Sequence, residues 1–201
     1  RKIIKNTDLT FLNVDRAPVD EWLVSLMPEN VTVLGGHRYI SHSVEGEKVR
    51  SKVLHNGTEI TVTSDYLVGA DGARSKVRKD LGYADFKKYI TVQDYCVAEG
   101  PIEPAFDCFW FDGMPDFGVG YVIPKSERVL VGMCYYPCTK QAHELQDQGL
   151  AKLRERYPIG PSIKREAWIA PKHSSVRDIA TGTERVLLTG EAGGFISPTS
   201  G

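Results

Sequence analysis

Residues 66–78, Tyr66-Leu-Val-Gly-Ala-Asp71-Gly72-Ala-Arg74-Ser75-Lys-Val-Arg78, join a short apolar run to an acid, a glycine and a basic segment. Leu67, Val68 and Ala70 suit a strand covered on both faces. Gly72 reaches backbone angles closed to other residues. Arg74-Ser75 then opens a helix whose first amides lack internal partners, and an anion fits there. The alternative is an ordinary strand-to-helix junction in which Asp71 only caps the helix. The end of the chain, Val186-Leu-Leu-Thr-Gly190-Glu191-Ala-Gly-Gly194-Phe-Ile-Ser-Pro198-Thr-Ser-Gly201, is a second hydrophobic strand ending in an acid among glycines. Pro198 suits a helix first turn, and Gly201 lets the backbone approach a ligand closely. Such a helix start carries roughly half a positive charge toward whatever faces it.

The elements that must position these corners follow from pattern. A helix is expected over about Pro18 to Met27, with Asp15 or Asp20 at its amino end. Short β-prone runs follow at Val31–Leu34, His37–Val44, Lys48–His55 and Glu59–Thr63. Asn56-Gly57 between the last two is a hairpin turn signal, because both residues tolerate positive φ. The runs read as a β-meander beside a parallel sheet. Residues 89–136 alternate β-branched and aromatic residues with glycine and proline turns, predicting four antiparallel strands at Tyr89–Glu99, Phe106–Phe111, Gly118–Ile123 and Arg128–Tyr135. Lys140 to Tyr157 predicts a helix with Leu145, Leu150 and Leu153 on one face, ended by Pro158. Ala167–Pro171 predicts one more strand, and Glu184–Thr189 the last.

The two corners together resemble the FAD-dependent oxidoreductases of the para-hydroxybenzoate hydroxylase superfamily, and within it the geranylgeranyl reductase and FixC-like branch. Asp71-Gly72 is similar to that family's Asp-Gly motif, and the tail to its Gly-Asp motif with the following Ser-Pro-x-Ser-Gly. Asp15-Arg16 through Leu23 is similar to its arginine segment. The resemblance implies a mixed α/β fold: a partial Rossmann-like FAD-binding domain with a β-meander over residues 1–88, an antiparallel substrate domain with a flanking helix over 89–175, and a return to the FAD domain over 176–201. It implies FAD contacts from Arg16, Asp71, Gly72, Arg74, Gly190, Glu191, Gly194, Pro198 and Gly201. NAD(P)H is the implied electron donor. The implied reaction passes hydride or electrons through the flavin to a small apolar organic substrate, with hydroxylation by a monooxygenase as the alternative. Trp110, Tyr121 and Tyr135 are the substrate-cavity candidates, although each of these aromatics could equally fill the sheet's own core. No acid-base catalyst is assigned.

The chain departs from that family in three places. No Gly-x-Gly-x-x-Gly occurs, so the chain reads as an internal fragment of a larger flavoprotein, which alone is expected not to bind FAD. The usual motif aspartate is Glu191, whose extra methylene moves the carboxylate by about 1.5 Å. The reductase branch's Tyr-x-Trp-x-Phe-Pro becomes Val119-Gly-Tyr121-Val-Ile123-Pro124, which puts an isoprenoid substrate in question.

Composition excludes several classes. Lys and Arg number 25 against 26 Asp and Glu, so no broad positive field attracts nucleic acid. The apolar runs are far shorter than the roughly 20 residues that span a bilayer. By family inference the protein is cytoplasmic or at most peripheral to a membrane. Cys96, Cys108, Cys134 and Cys138 form no Cys-x-x-Cys pair and no zinc pattern, and read as reduced thiols. His173 and Arg177 lie in a polar loop from which they could reach a ligand.

Overall fold

The computed structural model describes residues 12–111, 117–137, 139–173 and 175–196. Residues 1–35 and 36–201 are two compact units. In the first, helix α1 spans Arg16–Ser25, starting two residues before the expected Pro18. Asp15 stands at its amino end without a side-chain cap, while the Arg16 guanidinium donates to both oxygens of Asp20, one turn on. Val31–Leu34 forms no strand. Its side chains favour extended backbone, but a strand also needs a ladder of hydrogen bonds to a neighbour, and the Val31 amide donates back to Pro28 O instead.

The second unit holds three sheets. Strands β1 (His37–Glu45), β2 (Lys48–His55) and β3 (Thr58–Ser64) form the antiparallel meander. Its second turn is the Asn56-Gly57 pair, both at positive φ (48° and 81°). Strand β4 (Leu67–Gly69) leaves the meander and leads into helix α2 (Lys76–Asp80). The Tyr39 hydroxyl of β1 donates to Asp80, fastening the meander to that helix.

Strands β5 (Lys87–Ala98), β6 (Asp107–Phe109), β7 (Phe117–Pro124), β8 (Arg128–Tyr135) and β9 (Ile159–Lys172) form the large antiparallel sheet in the order β6-β7-β8-β5-β9. Sequence predicts only Ala167–Pro171 of the fifth strand. Gly160, Pro161 and three consecutive charges mask the rest, and an edge strand tolerates all of them because one side of its backbone has no ladder to complete. Helix α3 (Ala142–Arg154) covers one face with Ala142, Leu145, Leu150 and Leu153, packed on Val92, Cys96, Val129, Val131 and Met133. Gly149 is required by that packing, since a Cβ there would lie 2.4 Å from the Met133 sulfur. Strand β10 (Val186–Leu188) and helix α4 (Gly190–Gly193) close the described chain. The whole is a mixed α/β fold. No helix among the described residues is long and apolar enough to cross a membrane.

One charge is buried in the large sheet. The Asp94 side chain is fully inaccessible and accepts from Arg165 Nε at 2.9 Å, Ser162 Oγ at 2.6 Å and Gln146 Nε2 at 2.8 Å. These donors replace the water lost on burial. Asp94→Ala strips Arg165 of this partner and is expected to cost about 3–5 kcal/mol by urea unfolding.

Cys96, Cys108 and Cys134 are free thiols, while Cys138 lies outside the described residues. Burial, with a smaller effect of the Asp94 charge, pushes the Cys96 thiol up from 9.0 to about 11. A folded-state value above the unfolded one means a contribution present in full below the unfolded value and lost as pH climbs through the folded one. The stability advantage of the wild type over Cys96→Ala is therefore expected to shrink between pH 9 and pH 11, read from urea midpoints across that range.

Candidate functional site

Two parallel strands make the site's frame. Leu67, Val68 and Gly69 of β4 pair in register with Val186, Leu187 and Leu188 of β10. The Thr189 amide donates to Gly69 O at 3.0 Å, so both strands end at the same level. Two corners about 120 positions apart in sequence thus stand side by side. Gly69 is held to hydrogen at its α carbon because a Cβ would come within 2.8 Å of Val77 and 2.9 Å of Leu188. Gly72 turns the first corner at φ 75°.

The start of α2 differs from the sequence reading. Its amides are not left for an outside anion, because the chain supplies its own. Asp71 Oδ2 accepts from the Lys76 amide at 2.7 Å and the Val77 amide at 3.3 Å, and Asp71 Oδ1 accepts from Ser75 Oγ at 2.6 Å. Ser75 Oγ in turn accepts from the Arg78 amide at 2.9 Å. A carboxylate one residue before a tight turn lies within reach of the amides it would otherwise leave exposed.

Glu191 reaches across to the first corner, where its Oε2 accepts from the Ala73 amide at 3.1 Å. The methylene by which glutamate exceeds aspartate is used to span the gap between the corners. Gly190 begins α4 at φ 53°, with open space where a Cβ would point, and Gly194 ends it at φ 85° beside His173. Arg78, which sequence reading overlooked, is buried and fastens the corners from behind. Its guanidinium donates to the carbonyls of Ala84, Ala192 and Asp178 and lies 3.9 Å over the Phe86 ring. Its position two turns after Asp71-Gly72 carries no separate sequence signal.

In front of the first corner lies an open cleft of about 350 Å³, lined by Asp71, Ala73, Arg74, Ala167, Trp168 and Ile169. Arg74 has no hydrogen-bond or ion-pair partner among the described residues, and Trp168 is 42% exposed. Trp168 escaped sequence reading because β9 was expected to begin at Ala167, leaving its facing unassigned.

Asp71, Gly72, Arg74, Gly190 and Glu191 therefore come together, with Gly194 one short turn further on. Arg16 belongs to the first unit. Pro198 and Gly201 lie outside the described residues. Of the substrate-cavity candidates, Tyr121 stands on the sheet face opposite α3. Its ring crosses Gly132, where a Cβ would come within 2.1 Å of it, and its hydroxyl donates to Gln93 Oε1 at 2.7 Å. Tyr135 is on the other face, fully buried in the core beneath α3 with its hydroxyl on Gln146 Oε1. Strand periodicity of two decides that facing. Trp110, just past β6, is 66% exposed.

The donor set can be weighed against an FAD. Both oxygens of Asp71 and one oxygen of Glu191 accept from the chain itself, and the cleft offers a ligand a guanidinium without an ion-pair partner among the described residues, an exposed indole and glycine backbone at the corners. A planar ring that carries hydrogen-bond acceptors or negative charge fits that offer. Glu191→Ala is expected to raise amide hydrogen exchange at Ala73 by an order of magnitude or more and to cost about 1 kcal/mol of stability. Unchanged Ala73 exchange would show that the corners are held without it.

The comparisons with known proteins point the same way. The family model described as FAD binding domain matches residues 24–201. Protein CbrA of Escherichia coli is 29% identical over 207 residues, covering 98% of this chain and 55% of that protein; the Shigella sonnei protein of the same name is 28% identical over the same coverage. The chain thus spans about half the length of these curated relatives. A geranylgeranyl bacteriochlorophyll reductase-like protein from Thermoplasma acidophilum superposes with a TM-score of 0.62 at 18% identity, over 81% of this chain and 43% of that one. Aklavinone-11 hydroxylase, solved with FAD and aklavinone, gives 0.55 at 22% identity, over 78% and 32%. The flavin-dependent halogenase CmlS gives 0.57 at 17%, over 78% and 31%. The structural likenesses show the fold; the family match over most of the chain shows the lineage, and the chain belongs to the FAD binding domain family.

Proposed function

We propose that the whole protein is an FAD-dependent oxidoreductase acting on a small organic molecule beneath the large antiparallel sheet. In this reading residues 36–88 and 176–201 contribute the FAD half, with the arginine segment around Arg16, and residues 89–175 the substrate half. The observation that carries it is the pair of parallel corners, joined by Glu191 and the Ala73 amide, that opens on a cleft lined by Arg74, which has no ion-pair partner among the described residues.

FAD, when bound, supplies hydride or electron transfer. The chain's residues do the placing. Arg74 presents a positive charge to a ring system that becomes anionic on reduction, an interaction that strengthens where water is excluded. Trp168 offers an apolar face for stacking. Gly72 and Gly190 permit close backbone approach at the corners. Asp71, Glu191 and Arg78 keep the corners in register, so their effect on a ligand passes through geometry. We favour a reductase or dehydrogenase, because Asp71, the acid among the described residues that line the cleft, is held by Ser75 Oγ and the Lys76 and Val77 amides. Oxygen consumption coupled to substrate would instead establish a monooxygenase.

Protein expressed from the complete gene is expected to purify with the visible absorbance bands of flavin. Arg74→Ala and Trp168→Leu are each expected to weaken FAD binding about tenfold, equivalent to about 1.4 kcal/mol, measured by flavin fluorescence on reconstituting apoprotein. A colourless protein with no saturable FAD binding would end the proposal.

A further inference from the structure

The sheet face opposite α3 carries a polar centre that the proposed function leaves unused. On β5, residues 91, 93 and 95 point to this face, because Val92, Asp94 and Cys96 point into the core beneath α3. Register then lines up their neighbours: Thr91 with Cys134 and Trp168, and Gln93 with Gly132 and Glu166. Tyr121 pairs with Gly132 and lays its ring across that glycine to reach Gln93. The Trp168 that lines the cleft is therefore one step along the ladder, roughly 7 Å, from the strand position of Gln93. Phe106 stands beside the Tyr121 ring at 5.9 Å between centroids. At the far side Tyr95 donates to Glu166 at 3.0 Å, and Glu166 pairs with Lys164 at 2.6 Å.

The direction of one hydrogen bond gives this centre its chemistry. The Tyr121 O–H donates to Gln93 Oε1, so its proton is already spent. Burial holds that hydroxyl protonated well above its ordinary range. The lone pairs of the Tyr121 oxygen remain, and they accept. Gly132, lacking a side chain, keeps the ring flat on the sheet and the oxygen at a fixed height.

We infer that Tyr121, oriented by Gln93, is a specificity-determining acceptor that selects substrates carrying a hydroxyl donor over ethers or hydrocarbons of the same outline. This rests on the reading of the face as the substrate side of an FAD site. It narrows the apolar substrate of that reading to one with a single donor group, flanked by the aromatic surfaces of Phe106 and Trp168. A hydrocarbon tail alone would leave the Tyr121 oxygen desolvated without compensation.

The test uses protein from the complete gene and three probes of matched shape, 4-propylphenol, 4-propylanisole and propylbenzene, titrated by calorimetry so that no flavin signal is needed. The phenol is expected to bind about three- to tenfold tighter than the other two, the span of one neutral hydrogen bond. Tyr121→Phe should bring the phenol to the level of propylbenzene while leaving propylbenzene unchanged. Gln93→Met frees the tyrosine proton to donate, so the anisole should gain relative to propylbenzene. Equal affinity for the three probes, a phenol preference that survives Tyr121→Phe, or no binding of any probe overturns the inference. FAD content measured on the same samples separates the two ideas: colourless protein that still prefers the phenol sinks the flavin reading alone, and flavin-loaded protein without the preference sinks the Tyr121 assignment alone.

Discussion

A parallel ladder only three residues long, Leu67–Gly69 against Val186–Leu188, sets the place of the two acid-and-glycine corners. Parallel pairing is slightly weaker per residue than antiparallel pairing, and closing a loop of more than a hundred residues has an entropic cost. So short a ladder needs help. It comes from bonds that cross between the two chain segments: Glu191 to the Ala73 amide, Arg78 to Ala192 and Asp178, and the Tyr83 hydroxyl to Gly182 O. Behind them Val77, Val186, Leu188 and Ala192 form a small core of their own, distinct from the one beneath α3. The corner thus packs on a small core that it shares with Val49 of the meander, and the antiparallel sheet meets it through β9.

The large sheet divides its labour between two faces by the period of two. Val92, Cys96, Val131 and Met133 build the core against α3, and the residues between them build a face of hydroxyls, amides and rings. Asp94 is the exception, a charge on the core side. It is tolerated because Arg165 from the neighbouring strand, Ser162 and Gln146 of α3 converge on it. That network joins β5, β9 and α3 at one point, which helps hold an edge strand with two register shifts against its neighbour.

Much of this was legible in the sequence. The meander, its Asn56-Gly57 turn, four of the strands of the large sheet and α3 follow from local pattern, because residue alternation and turn chemistry mark each of them. The pairing of the two acid-and-glycine corners was legible from their likeness to each other and to a family. What was hidden depends on long-range facing. The first half of β9 was hidden because an edge position tolerates Gly160, Pro161 and charge, and without its register the facing of Trp168, inside the expected Ala167–Pro171 strand, stayed unassigned. Tyr135 and Tyr121 look alike as aromatics in strands, yet one is buried on Gln146 and the other lies open-faced across Gly132, which only strand register decides. Val31–Leu34 shows the converse: strand-prone residues alone make no strand.

The two motif acids draw the last distinction. Each stands where a ligand contact would be read from sequence, and each accepts from inside the chain, Asp71 with both oxygens from Ser75 and the α2 amides and Glu191 with one oxygen from the Ala73 amide. A carboxylate placed near free amides binds them before any ligand arrives, since the effective concentration of a tethered group exceeds that of a free one. The consequence is electrostatic. Backbone amides offset part of the two negative charges at the corners, while Arg74, which lines the cleft, has no ion-pair partner among the described residues. The two acids thereby hold the backbone that carries Arg74.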